Sequence, residues 1–516
     1  MDSLPHRYFA KLSKSLVDAF VNMLVLLIVP RVLGPVGFGN FHYIRDVFQN
    51  LIGFLDLNLC SAHSNYASRK TNSYLATSIY MVYILFVGII LLCICFLLIK
   101  FTNVKEFFFP DQNLFYIMLG GILVYAGYIF QAIMSLSDSK GLTVGFEKRA
   151  IIIITTCASI FVLIWWFDVL SLTTFFIYRI SVFVILIISC FFYINRSLLL
   201  ITNMRNPFKE KESRKTLAIF YNFSHPLVVL SIFGLLAGFL DRWLLQMING
   251  SAAQGYFSLG LVLSTVVGVF LTPFSPLLMQ AIALADEENN TKQLLSSFKI
   301  VRSLYLLATF LSIFLAFHVE ILIRLVGGQS FVEAKWTIFV MLLTSMHVVY
   351  GQFCGSTLIA LRQTAIYRNI AVVSSLIGIL VTYLLLAPKL FIITGLGLGS
   401  LGLAIKILIT QIIVVNIQLY YVCKYLGDSF KSHLQFQIVL TILFGLFGIV
   451  DKLILSNVFA LWFTELPIFL VPIFSFFIWV LSLIFLMIKF KKVFEKFGIN
   501  VDLFITIVHR FSKYRV

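Results

Sequence analysis

The sequence predicts an all-α polytopic membrane protein of about fourteen transmembrane helices, arranged as two pseudo-symmetric six-helix lobes with two further helices at the C-terminal end. Three observations lead there. The 516 residues are 60% hydrophobic and 16% aromatic with 12% charged, and the mean hydropathy of +1.00 is far above that of a soluble domain. Apolar runs of about twenty residues, enough to cross a hydrocarbon core of about 30 Å, recur along the whole chain. A glycine motif that follows the first run returns after the seventh.

In order, the spans are expected near 12–33, 40–65, 74–99, 114–137, 150–167, 172–195, 217–247, 253–278, 300–325, 336–360, 366–388, 396–422, 433–455 and 466–488. The first follows Arg7, Lys11 and Lys14 and runs to Val29; Pro30 and Arg31 come next rather than a small-residue cleavage site, so it reads as a retained span and not a signal peptide. The second is long enough to cross but polar along one side. The third is bounded by Arg69 and Lys70 before it and Lys100 after it. The fourth follows "FTNVKEFFFPDQN" and closes on Lys140, and the fifth and sixth run from Lys148 and Arg149 to Arg196. The seventh and eighth flank "GSAAQGYF". The ninth starts behind Lys299 and Arg302, the tenth behind Lys335, the eleventh behind Arg362 and Arg368, and the twelfth opens on "GLGLGSLGLAI". The last two lie between Lys431 and a basic tail.

Charge orients this array. Connections on one side carry most of the Lys and Arg, including Arg205, Lys209, Lys211, Arg214 and Lys215; the alternate set holds only Arg31, Lys100, Lys105, Arg324, Lys335, Lys389 and Lys452. The positive-inside rule therefore places both termini in the cytoplasm. The formal charge of +17 is scattered between apolar runs rather than gathered on one soluble face, which argues against a nucleic-acid partner. Six of the seven cysteines lie in apolar runs and the seventh at the edge of one, so their spacing suits neither a metal site nor a disulfide framework. The tail beyond Lys489 interleaves Phe and Val with Lys and is expected to lie on the inner leaflet as an amphipathic helix or to fray.

"GPVGFGNF" from Gly34 matches "GSAAQGYF" from Gly250 with a shift of 250 − 34 = 216, which also pairs Gly39 with Gly255 and Phe41 with Phe257. Six spans per copy restore the same orientation, so the copies are expected to be parallel repeats. The domains follow: an N-lobe over 1–213, a C-lobe over 214–430, a terminal helix pair over 431–489 and a basic cytoplasmic tail over 490–516, with the polar stretch after Arg196 as the linker between lobes.

The polar side of the second span needs a reason. At about 100° per residue, Arg45, Gln49, Asp56 and His63 fall on one face of a continuous helix, with Asp46 beside them. Ionised groups facing lipid cost roughly 2.5–3.5 kcal/mol each, so this face must meet protein or water. An interhelical pair would satisfy one or two such charges. Asp18 and Asn22, Arg179, Asp241, Arg242 and Lys406 add more, and together they favour a wet cavity, with Arg31 near its outer mouth. Arg31, Arg45, Arg179, Arg242 and Lys406 are candidate cations for an anionic head group such as a pyrophosphate. Asp46, Asp56 and Asp241 are either their partners or groups that couple transport to a proton or sodium gradient. Asp18, Asn22, Gln49 and His63 complete the polar lining. Asp241 and Arg242 are adjacent, so they cannot both point to the axis. Pro30, Pro226, Pro273 and Pro276 permit bends.

"RVLGPVGFGNF", "FLDLNLCSA", "DRWLLQMINGSAAQGYFSLG", "ILIRLVGGQSFVEA", "STLIALRQTAIYRN" and "GLGLGSLGLAI", in that order over residues 10–430, resemble bacterial polysaccharide exporters of the O-antigen flippase type. That family belongs with MATE drug exporters and lipid II flippases in the multidrug/oligosaccharidyl-lipid/polysaccharide superfamily. The resemblance implies a MATE-like fold with two six-helix lobes around a central cavity. It implies an undecaprenyl-pyrophosphate-linked oligosaccharide as substrate, moved to the outer leaflet of the bacterial inner membrane by alternating access. Membrane lipids, a polysaccharide polymerase and chain-length proteins are the partners it implies. Arg31, Gly34, Gly39, Asp56, Asp241, Arg242, Gly250 and Gly255 match family positions, and Arg45 lies on a helix that contributes cavity cations in related flippases. Asn58 departs where a Gly often follows the Asp by two positions, and Arg45 with Asp46 is more charged than most relatives.

Other readings remain. A MATE-like drug exporter shares the fold, though cationic drugs favour acidic cavities; a lipid II flippase shares both fold and substrate chemistry. A membrane glycosyltransferase or polymerase would need acid, base or metal-binding residues on a sizeable external loop, and the outward loops here are short. The acidic run Asp286–Glu288 has no His or nucleophile beside it. No Walker motif is present, so ATP is not the expected energy source, and no cofactor is expected.

Overall fold

A computed structural model of the chain describes residues 4–69, 73–199, 202, 212–268, 282, 288, 291–361, 363–388, 394–462, 470–489, 491 and 495. These residues are helical almost throughout: α1 (Leu4–Asp56), α2 (Leu59–Arg69), α3 (Tyr74–Lys100), α4 (Thr102–Phe108), α5 (Leu114–Ser139), α6 (Thr143–Trp166), α7 (Leu172–Leu198), α8 (Ser213–Gly268), α9 (Thr291–Phe317), α10 (Val319–Val326), a 3₁₀ turn (Gln329–Ala334), α11 (Lys335–Ala360), α12 (Thr364–Leu386), α13 (Gly399–Leu426), α14 (Phe430–Trp462) and α15 (Leu470–Lys489). Among the described residues, eleven helices are long and apolar enough to cross a membrane. Their outer faces are greasy: Leu85 and Leu92 on α3 are 63% and 68% exposed, as lipid-facing side chains must be. The chain is a multi-pass membrane protein.

Eleven rather than fourteen arise because two expected pairs of spans are each continuous through a kink. The apolar part of α1, Phe9–Asp56, has 48 residues. At 1.5 Å per residue it would measure roughly 70 Å if straight, over twice a hydrocarbon core. It breaks at Gly34 (φ 63, ψ 179), and the 56-residue α8 breaks at Gly250 (φ 74, ψ −172). These are the two repeat-related glycines, in the same left-handed conformation that a side chain would strain. The last expected span is represented by the shorter apolar helix Ser475–Lys489. The expected amphipathic tail lies outside the described residues apart from Lys491 and Glu495, and so do most of the linker after Leu199 and Pro273 and Pro276.

The repeat is written into a contact as well as a kink. A Cβ on Gly39 would overlap the Ser251 carbonyl oxygen and lie 2.8 Å from the Gly255 nitrogen; one on Gly255 would overlap the Pro35 carbonyl oxygen. Pro35 and Ser251 are themselves mates under the 216-residue shift, so the two motifs cross reciprocally, backbone on backbone. The loop before α5 seals this crossing. Gln112 Nε2 donates to Asn40 Oδ1 (2.9 Å) and Ser251 Oγ (3.2 Å), Gln246 Nε2 donates to Ser251 Oγ (3.0 Å), and Trp243 Nε1 donates to the Phe107 carbonyl (2.6 Å).

The chain forms two compact units, Met1–Ser258 with Ser375–Gly399, and Leu259–Ser374 with Ser400–Val516. In the first, apolar residues three and four apart on three helices make one core: Phe130, Ile133 and Leu136 of α5, Phe146 and Ala150 of α6, and Leu186, Cys190 and Ile194 of α7. In the second, Tyr305 and Phe310 of α9, Tyr350 and Phe353 of α11, Leu419 of α13, Phe436, Leu440 and Phe444 of α14 and Trp479 of α15 pack together, so the terminal helix pair is part of that core. Polar pairs fix α14 near both ends. Arg302 Nε donates to His433 Nδ1 (3.2 Å), whose Nε2 lies 3.0 Å from Asp428 Oδ2, and Ser475 Oγ donates to Asp451 Oδ2 (2.7 Å). Burial of Asp428, in the α13–α14 connection, pushes its carboxyl up, but the hydrogen bonds from His433 and the Ser429 N–H outweigh it and hold it below the usual range.

The second expected span is not one helix. It stops at Asp56 and resumes at Leu59, because Leu57 (φ 49) and Asn58 (φ 60) take the left-handed conformation. Two non-glycine residues there are costly, and side-chain bonds hold them. Asp56 Oδ2 accepts from the Cys60 N–H (3.4 Å), Asn58 Nδ2 donates to Ser231 Oγ (2.8 Å), and Tyr83 donates to the Leu55 carbonyl. The continuous polar face expected through His63 therefore ends at Asp56.

Candidate functional site

The first unit gathers charge on α1, α7 and α8. Arg45 and Asp46 sit on α1 just beyond the glycine crossing, and Arg242 sits on α8 two turns before its kink. Asp46 bridges the two guanidiniums. Its Oδ1 accepts from Arg45 Nε (3.0 Å) and Nη2 (2.7 Å), and its Oδ2 lies 2.7 Å from Arg242 Nη2. Arg242, 6% exposed, uses its other arm to donate to Gln254 Oε1 (3.1 Å) and Ser258 Oγ (3.0 Å), and stacks over the Phe257 ring at 4.5 Å. Gln254 in turn donates to the Arg242 carbonyl, closing a loop across the kink. Arg179 of α7 is within Coulombic range of Arg45 and Asp18, and the buried His42 is within range of Arg45, Asp46, Arg179 and Arg242. Two guanidiniums thus share the Asp46 carboxylate, and this trio keeps an excess of one positive charge. Arg45 is its accessible member, with a side chain 31% exposed.

The other expected site residues are distributed differently. Asp18 pairs with Lys14 (2.6 Å) one turn back on α1. Asn22, Arg31 and Gln49 are exposed on α1. Asp56 forms its own pocket, accepting from Tyr128 (2.7 Å) and Tyr80 (3.4 Å) rather than meeting an arginine. His63 belongs to α2, is buried against Thr77 Oγ1 (3.1 Å) and stacks on Tyr80; the helix break turns it off the Arg45 face, contrary to the expectation of a shared stripe. Asp241 points away from Arg242 and accepts from Thr382 Oγ1 (2.6 Å), as their adjacency requires. Lys406 is buried on α13 in the second unit.

His42, Gln254, Phe257 and Ser258 were not foreseen. A signal for them exists, because the 216-residue shift pairs Phe38 with Gln254 and His42 with Ser258, one turn apart on the helix after each kink. The charges themselves break the repeat: the same shift pairs Arg45 with Leu261, Asp46 with Val262 and Arg242 with Leu26. The cluster is a one-sided addition to a symmetric frame. Among the described residues no group of three or more His, Cys, Asp or Glu could hold a metal.

The chain is thus a helical membrane array with kinked, repeat-related helices and a partly buried charge cluster. A family profile described as "Polysaccharide biosynthesis protein" matches residues 9–279, and the chain belongs to that family. No match is found among curated proteins. Among solved structures, the chain is similar to the lipid II flippase MurJ in an inward closed conformation (15% identity, 94% of this chain and 99% of that one, TM-score 0.61). It is also similar to a multidrug resistance MATE family transporter of the MOP superfamily facing inward (12%, 81% and 99%, TM-score 0.60). A MOP superfamily transporter from Pyrococcus furiosus matches at 11% identity over 82% of this chain and 95% of that one, with a TM-score of 0.54. At these identities the likeness shows the fold alone.

Proposed function

We propose that the protein is a flippase that moves an undecaprenyl-pyrophosphate-linked polysaccharide repeat unit from the cytoplasmic to the outer leaflet of a bacterial inner membrane by alternating access. The observation that carries this reading is the cation excess around Asp46. Arginine is suited to a diphosphate because its planar fork binds oxyanions bidentately, and Arg45 offers it at a partly exposed position. The polyprenyl tail stays in lipid, so only the charged head and sugars need a polar path, and no bond is made or broken. The repeat-related stretches 1–213 and 214–430 are the two lobes of this reading, and the basic connections keep both termini in the cytoplasm. The polymerase and chain-length proteins would take the product on the outer side.

Arg45→Ala is expected to lower surface polysaccharide at least tenfold, the scale of one lost charge-assisted contact, in a strain that depends on this gene, with unchanged protein in the membrane. Normal polysaccharide would remove Arg45 from the path. A lipid II flippase is the second reading, favoured by the likeness to MurJ; rescue of a strain lacking lipid II flipping, without rescue of polysaccharide, would select it. For coupling, Asp56→Asn and Asp241→Asn are each to be tested in proteoliposomes under imposed proton or sodium gradients. The coupling carboxylate is the one whose variant transports without responding to the gradient, and a full response in both excludes both.

A further inference from the structure

At the other end of α1, away from the arginine cluster, six charged side chains meet where α1 passes the α5–α6 turn. Arg7, Lys11 and Lys14 lie on one face of α1. Arg7 donates to Thr143 Oγ1 (3.1 Å) and to the Asp138 carbonyl (2.6 Å), Lys11 pairs with Asp138 Oδ2 (2.6 Å), and Lys14 pairs with Asp18 (2.6 Å). The sixth group is Glu147 of α6. It is 2% exposed, yet its Oε2 has no hydrogen-bond partner. The groups that face it are Lys11, Lys14 and Asp18 from α1 and Asp138 from α5, with the Cys190 thiol on α7. On its own helix, Arg149 is turned to the Tyr193 ring (4.1 Å) and the Gly145 carbonyl (2.9 Å).

A buried carboxylate oxygen without a donor is costly, and a proton would satisfy it. So would an ammonium: of the two that face Glu147, Lys11 is engaged by Asp138 and Lys14 by Asp18, a carboxylate more exposed than Glu147.

We propose that Glu147 is a proton-binding site, loaded while Lys14 is held by Asp18 and emptied when Lys14 turns to Glu147. A proton from water at the membrane face binds the carboxylate oxygen and returns to water on release; the Lys14 ammonium keeps its three hydrogens and only changes partner. Glu147 sits at the start of α6, a helix packed along α1, so the exchange joins proton binding to the attachment of α1 at this end. Proton binding there is independent of the cargo proposed above.

The test is infrared difference spectroscopy on the purified full-length protein in lipid nanodiscs, with no substrate. At neutral pH the wild type should show a protonated-carboxyl band that Glu147→Gln removes. Lys14→Met, which deletes the competing cation, should keep or strengthen the band. Asp18→Asn, which frees Lys14, should weaken it several-fold, and the Lys14→Met/Asp18→Asn double variant should match Lys14→Met alone. A band unchanged by Glu147→Gln overturns the site. If Glu147→Gln does not fold, the other three variants decide: a band equally strong in all of them, or weakened by Asp18→Asn with and without Lys14, overturns the exchange.

Discussion

Asp46→Ala is expected to destabilise the protein by about 3–5 kcal/mol, the cost of breaking a buried ion pair from one side. Arg242 is buried and cannot leave the kink of α8, where Gln254 and Ser258 hold one arm and Phe257 its face. Removing Asp46 strands the Nη2 arm and the whole charge. Arg45→Ala should cost far less, since Arg45 is partly exposed and its lost partner remains paired with Arg242. A double variant, Asp46→Leu with Arg242→Met, should recover most of the stability, because two apolar side chains of similar volume replace the pair, while transport stays lost. Denaturant or thermal unfolding in detergent measures all three against wild type. A single Asp46 variant within about 1 kcal/mol of wild type would mean that Arg242 has another anchor.

The second large effect is steric. Gly39→Ala and Gly255→Ala each drive a methyl into a backbone carbonyl across the crossing, where no side chain can rotate away. A loss of about 3 kcal/mol or more is expected, at the upper end for overpacking, with little folded protein recovered. Gly234→Ala is the control: the same helix class, nothing within 4 Å of the added Cβ, and an expected gain of up to about 1 kcal/mol. Equal behaviour of the three variants in thermal unfolding would show that the crossing is looser than described.

Much of this was legible in the residues. Gly34, Gly39, Gly250 and Gly255 announced the repeat because backbone-level constraints leave glycine in the sequence at fixed spacing. Arg45, Asp46 and Arg242 were legible because charge in an apolar run must be compensated. The break at Leu57–Asn58 was not: Asn58 is a residue that takes the left-handed conformation readily but Leu57 is not, and the bonds that hold the break come from Tyr83 and Ser231, 26 and 173 positions beyond Leu57 and Asn58 respectively. That one break is why His63 leaves the face that Arg45 occupies. The tyrosine partners of Asp56 were not legible either, because a tyrosine in an apolar run gives no sign of where its hydroxyl points. The all-helical, multi-pass character was recoverable, whereas the continuity of α1 and α8 through their kinks was not.

The glycine crossing also limits how this chain can be recombined. Because Pro35 lies on Gly255 and Ser251 on Gly39, each motif is the template for the other's outline, and neither has an independent shape to inherit. A chimera that imports residues 30–45 from a relative will assemble only if residues 246–260 travel with them, so the two motifs should pass between homologues as a single unit of exchange.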